Sequence, residues 1–357
     1  MKTAISVVVV LLSFFLLAGG VGAQSSERLV EAEVVSVVDE GELISESSRA
    51  PFQVLELRTA EGELLELTNG GVPAADAHTY KVGDRVMLSE TQVFDESAFA
   101  IVDYVRRDGL YVLFGLFALL AVIIGGRWGV ASILGMGFSF FVIFSFILPR
   151  ILSGANPVVV AVLGAALIVP ITFYLSHGIQ MKTHLAVVGT VVTLIITGLL
   201  AETFVNITHL TGFASEEAGF LSSQTEGSVD MKGLLLAGII ISTLGVLDDI
   251  TVSQASIVRE LKRANKKLSF VELFRRAMVV GRDHVASLIN TLVLVYAGAS
   301  LPLLLLFTTS GLSLSQVINF EIVADEIVRT LIGSIGLILA VPITTALAGT
   351  AFEKRSA

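Results

Sequence analysis

The hydrophobic pattern changes character once along the chain, near residue 108. Before that point apolar and polar residues alternate in short stretches, at 30–38, 52–59, 64–68, 85–88 and 99–105. A two-residue period marks strands with one covered face. Turn signals separate the stretches: Glu61-Gly62, Asn69-Gly70-Gly71 and Val82-Gly83-Asp84. Residues 24–108 are therefore predicted to form a small all-β domain, barrel-like or OB-like, a likeness of fold that carries no function. Beyond residue 108 the alternation gives way to apolar runs near 111–125, 129–149, 157–176, 185–204, 233–255, 286–307 and 328–350. Most approach the ~20 residues that a ~30 Å hydrocarbon core demands of a helix. The expected fold is mainly α, a polytopic membrane bundle of about seven spans over 109–350.

Punctuation refines these elements. Gly125-Gly126-Arg127 joins the first two runs by a tight turn. Asn156-Pro157 supplies an N-cap and a first helical position. Pro170 and Pro342 should kink the third and seventh runs. Residues 1–23 read as a secretory signal peptide, with Lys2, an apolar stretch and Val21-Gly22-Ala23 before Gln24. The plainer alternative is a retained first helix, for which the stretch is short.

Composition and charge sharpen the picture. Hydrophobic residues make up 54% and charged residues 15% of the chain, against about a quarter charged in soluble domains. The absence of cysteine excludes disulfides, thiolate metal sites and thiol nucleophiles. Residues 24–108 hold 18 acids against 7 bases, which argues against a nucleic-acid groove and reads most simply as a solvated surface. Residues 256–285 hold eight Lys/Arg against three acids, and Lys354 and Arg355 end the chain in a short tail, 351–357. The positive-inside rule places both segments in the cytoplasm and the β-domain outside it. The signal peptide requires the same parity. The basic segment also contains Ser269-Phe-Val-Glu272, a capping-box pattern, and Phe270, Phe274, Ala277 and Met278 at helical spacing. An amphipathic interfacial helix is expected there, or simply a basic loop.

Candidate chemistry centres on Leu244-Gly-Val-Leu-Asp248-Asp249-Ile-Thr-Val-Ser253, two carboxylates within an apolar run. Gly238, Ser242, Gly245, Asp249, Ser253 and Ser256 follow helical steps and form one small and polar stripe, suited to close helix packing. Asp249 is thereby expected to face protein, with Asp248 about 100° around the helix. Asn290 and Thr291, expected at similar depth, are polar neighbours. Gly333 and Gly336 mark a second packing face, and Thr190, Thr193 and Thr197 a hydroxyl row. An ionised Asp at a span's centre costs ~2.5–3.5 kcal/mol, so such a group carries a proton, faces water or binds a cation. The alternative is a hydrated pair near the helix end. Adjacent helical positions do not face each other, so one shared metal is disfavoured. No P-loop, HExxH or nucleophile elbow occurs. An enzyme is not expected, nor any cofactor or metal.

Three segments carry a family resemblance: Leu244-Gly-Val-Leu-Asp-Asp-Ile-Thr-Val-Ser-Gln254, Gly281-Arg-Asp-His-Val-Ala-Ser-Leu-Ile-Asn-Thr-Leu-Val-Leu-Val-Tyr-Ala-Gly-Ala-Ser-Leu-Pro302 and Glu326-Ile-Val-Arg-Thr-Leu-Ile-Gly-Ser-Ile-Gly336. Over about 105–350 the chain resembles the YibE/YibF family of prokaryotic membrane proteins, which implies a multi-span membrane protein and no particular substrate. A looser likeness is to half of a resistance-nodulation-division permease or of the SecD/SecF export factors, where an intramembrane acid serves proton coupling. That likeness implies coupling at Asp248 or Asp249. The chain departs from it in its four runs before the acidic one, its β-rich domain and its lack of a second half bearing a basic partner. The partner would then be Arg150, Arg329 or another chain. The expected function is a permease or permease component working on an unknown small solute or ion in the cytoplasmic membrane. The alternative is a non-transporting assembly factor whose β-domain binds a partner. Small-residue faces also fit a homo-oligomer or contact with another membrane component.

Overall fold

A computed structural model describes residues 28–45, 48–70, 78–93 and 96–354. The expected signal peptide, 1–23, and Arg355 in the tail lie outside the described residues. The chain divides into two compact units, Met1–Leu120 and Ala121–Ala357.

In the first unit five antiparallel strands form one sheet: β1 (Arg28–Ser45), β2 (Ser48–Thr59), β3 (Leu64–Gly70), β4 (Arg85–Val93) and β5 (Glu96–Tyr104). Their order is β3-β2-β1-β4-β5, and the sheet curls into a half-barrel. The alternation read from the sequence sets its inner face, where Val34, Leu55, Leu57, Val86 and Leu88 are fully buried around Tyr80. Buried Gln53 substitutes for a strand partner. Its Nε2 donates to the Tyr80 carbonyl at 3.1 Å, and its Oε1 accepts from the Tyr80 N–H at 2.7 Å.

Among the described residues six helices are long and apolar enough to cross a membrane. The first extends over Arg107–Leu152 and comprises α1 (Arg107–Val142), a π-helical segment (Ile143–Ile147) and α2 (Leu148–Leu152). It is not one straight rod. Gly126 has φ +56° and ψ −132°, and the Ala121 carbonyl oxygen lies only 1.9 Å from where a Cβ on Gly129 would sit. The helix is kinked there, and only glycine admits that approach. The bundle continues through α3 (Pro157–His177), α4 (Met181–Ile207), short α5 (Glu216–Gln224), α6 (Met231–Ala264), α7 (Phe270–Ala299), α8 (Leu301–Thr309), α9 (Leu314–Val317) and α10 (Glu321–Lys354). Asn156 caps α3 by accepting from the Val159 N–H at 3.1 Å. Ser269 and Glu272 form a capping box on α7.

Helices α7 and α10 begin earlier than the apolar runs at 286 and 328. Their first turns carry charges that lower hydropathy without breaking the helix. The expected interfacial helix is therefore the first half of α7 itself, continuous with the span. Helix α6 is the most enclosed of the six, packing against α3, α4, α7 and α10. Where α4, α6 and α10 meet, hydroxyls replace aliphatic side chains. Thr190 and Thr251 hydrogen-bond across the seam at 2.9 Å, and fully buried Gln254 donates to Thr345 at 2.7 Å and to the Ala277 carbonyl at 3.1 Å.

Candidate functional site

Helix α6 is fixed at its start by Asp230, whose carboxylate accepts from the Gly233 N–H at 3.0 Å. It then runs unbroken through Asp248 and Asp249. Although their side chains leave the helix about 100° apart, both border one cavity of about 530 Å³. Gly245 forms part of the α6 wall, Ser132 and Ser139 of α1 line another side, and Thr172, Ser176 and His177 come from α3. Asp249 and His177 thus line the same cavity from different helices. Asp248 is half-buried, and its Oδ1 is enclosed without a hydrogen-bond partner. No salt bridge to either acid forms among the described residues.

An enclosed carboxylate oxygen left unpaired costs about 1–3 kcal/mol, more when charged. A proton or a cation arriving from the cavity would remove that cost. Serine and threonine hydroxyls can both donate and accept, and neutral imidazole offers one of each. Set among apolar side chains such as Met136, Phe140 and Phe173, these polar groups are suited to solvating a cation or relaying a proton.

The two acids exchange the places expected of them. Asp248 is the more enclosed, whereas Asp249 is exposed. Helix α6 meets its neighbours through the flank bearing Thr243, Leu247, Thr251 and Gln254, all buried, and that flank leaves the glycine side open. No heavy atom lies within 4 Å of a Cβ built on Gly238 or Gly245, so the stripe Gly238, Ser242, Gly245 is not a contact face within this chain. Gly336 is one: a Cβ there would lie 2.6 Å from Thr197 Oγ1. Gly333 sits opposite Thr243 Oγ1 at an ordinary 3.8 Å.

Asn290 and Thr291 are exposed on α7 and do not line the cavity. Helix α7 buries Leu273, Ala277 and Gly281, and nine residues beyond Gly281 is half a turn out of phase. The Thr291 hydroxyl is spent on its own helix, donating to the Ser287 carbonyl at 3.0 Å. Neither proposed basic partner reaches the acids. Arg150 lies beyond the π-helical segment, its guanidinium 5.7 Å from the Phe146 ring centroid. Arg329 pairs instead with Asp325, Nη2 to Oδ2, at 3.1 Å.

The small and polar lining residues on α1 and α3, His177 among them, carry no mark in the sequence reading above. Ser132, Gly135 and Ser139 recur at helical spacing, as do Thr172 and Ser176. The rule that singled out α6 applies to them equally. A family model described as YibE/F-like protein matches residues 113–354, more than half of the chain and all of the cavity. No curated protein and no solved structure matches.

Proposed function

The chain belongs to the YibE/F-like family and is an integral membrane protein; from that premise we propose that it works as a permease component that moves a proton or small cation through the Asp248–Asp249 cavity. The observation that carries this reading is the enclosed, unpartnered Asp248 Oδ1 in a cavity whose polar lining groups are serine and threonine hydroxyls, one imidazole and Asp249, set among apolar side chains. Asp248 is the enclosed binding group and Asp249 the more accessible member of the pair. The basic segment 256–285 faces the cytoplasm in this reading, following the distribution of Lys and Arg.

Purified protein in proteoliposomes, with a pH-sensitive dye inside and an imposed ion gradient, tests it. Flux should exceed that of empty vesicles, and Asp248→Asn should lower it by at least about tenfold, equivalent to ~1.4 kcal/mol of lost stabilisation. Asp249→Asn should give a smaller loss. Wild-type flux in both variants, or no flux above empty vesicles with any monovalent cation, would dispose of the transport reading and favour the scaffold alternative.

A further inference from the structure

A second cavity, of about 630 Å³, lies on the same open side of α6. It occupies the half of the bundle at the Met231 end, bordered by Gly238 from α6, Ser300 after α7, and Asp325, Glu326 and Arg329 from α10. The Asp248–Asp249 cavity occupies the half towards the basic segment. Ile143 and Ile241 line both cavities, and no other residue does. At 1.5 Å rise per residue, Ile241 lies ~15 Å along α6 from Met231 and ~12 Å short of Asp249.

The second cavity has its own charged group. Asp325 is only 8% exposed, and although Arg329 holds its Oδ2, its Oδ1 has no partner, nor has Arg329 Nε. With Glu326 beside them, two carboxylates face one guanidinium, so the group is net negative like the pair in the first cavity. The lining that the two cavities share is thus two isoleucines, and a narrow apolar constriction expels water and ions. Ile143 is also the first residue of the π-helical segment, a local departure of the kind that recurs at functional sites. Across from it, Gly238 and Gly245 leave unfilled space on α6.

We propose that the two cavities are the halves of one cation pathway along α6, closed where Ile143 and Ile241 meet, with Asp325, Glu326 and Arg329 as the charged station of the second half. The identity of the ion rests on the function proposed above; the closure and the opposed openings do not.

The chain has no cysteine, so single introduced thiols report accessibility directly. Full-length Ser139→Cys and Ser300→Cys variants, in vesicles of both orientations, would be treated with a membrane-impermeant charged maleimide. Ser139→Cys should label from the side of segment 256–285, and Ser300→Cys from the opposite side. Combining either with Ile143→Ala and Ile241→Ala should add labelling from the far side. Ile241→Cys, which needs no other change, should be unreactive from both sides. Same-sided labelling, unchanged sidedness in the alanine variants, or a reactive Ile241→Cys would each overturn the proposal. The station is tested on Ser300→Cys with cationic and neutral methanethiosulfonates. Asp325→Asn should reduce the cationic preference several-fold, and an unchanged ratio removes the station. Opposite-sided labelling without ion flux sinks the coupling reading and leaves the pathway; flux with same-sided labelling does the reverse.

Discussion

Gly336 shows how tightly single positions are specified in the bundle. A Cβ there would lie 2.6 Å from Thr197 Oγ1 and 3.3 Å from Thr243 Cγ2, and both threonines are β-branched and stiff at χ1. Gly336→Ala should therefore destabilise the protein by about 1–3 kcal/mol through overpacking. Gly238→Ala meets no neighbour and should be neutral or stabilising by up to ~1 kcal/mol, since alanine favours the helix. Thermal unfolding in detergent separates the two, and equal melting temperatures would refute the contrast. Most hydroxyls along this seam are satisfied within their own helix, Thr344 Oγ1 being an enclosed exception. Thr193, Thr197, Thr243, Thr251 and Thr345 each donate to the carbonyl four residues back. Among the described residues Gln254 hydrogen-bonds α6 to both α7 and α10, the kind of polar contact that joins helices within a membrane.

At the scale of elements, the half-barrel carries its own pH dependence. Burial, then the neighbouring Tyr104 and the carboxylates of Asp103 and Asp84, hold the Tyr80 phenol above its ordinary value. A folded pKa raised above the unfolded value of about 10 contributes stability that is complete below pH ~10 and is lost as pH rises through the folded value. Hydrogen exchange in β1–β5 should therefore accelerate above that pH, and Tyr80→Phe should blunt the alkaline loss. Identical profiles would count against Tyr80. The strands themselves were legible because their inner face is apolar at every second residue. The starts of α7 and α10 were not, since Arg275, Arg276, Asp325 and Glu326 depress hydropathy inside continuous helices. The apolar run begins only at 328, so hydropathy leaves Asp325 outside the span and gives no sign of its i,i+4 pairing with Arg329.

For the whole molecule, the change from strands to long apolar helices and the acidic pair could be read from one-dimensional pattern. The rotation of α6 about its axis could not. Small residues permit contact without requiring it, so Gly336 meets a neighbour and Gly238 borders open space. The same ambiguity inverted the burial of Asp248 and Asp249 and turned Asn290 outward. One further consequence concerns light. Trp128, the sole tryptophan, stacks with Arg127 at 4.8 Å and comes within 3.9 Å of a Cβ built on Gly178. Two residues on, Gln180 accepts from Arg259 at 2.6 Å. The only indole thus marks the end of the bundle that carries the basic segment. Its native fluorescence reports orientation without a label: iodide confined to the side of segment 256–285 should quench it, and iodide on the opposite side should leave it bright.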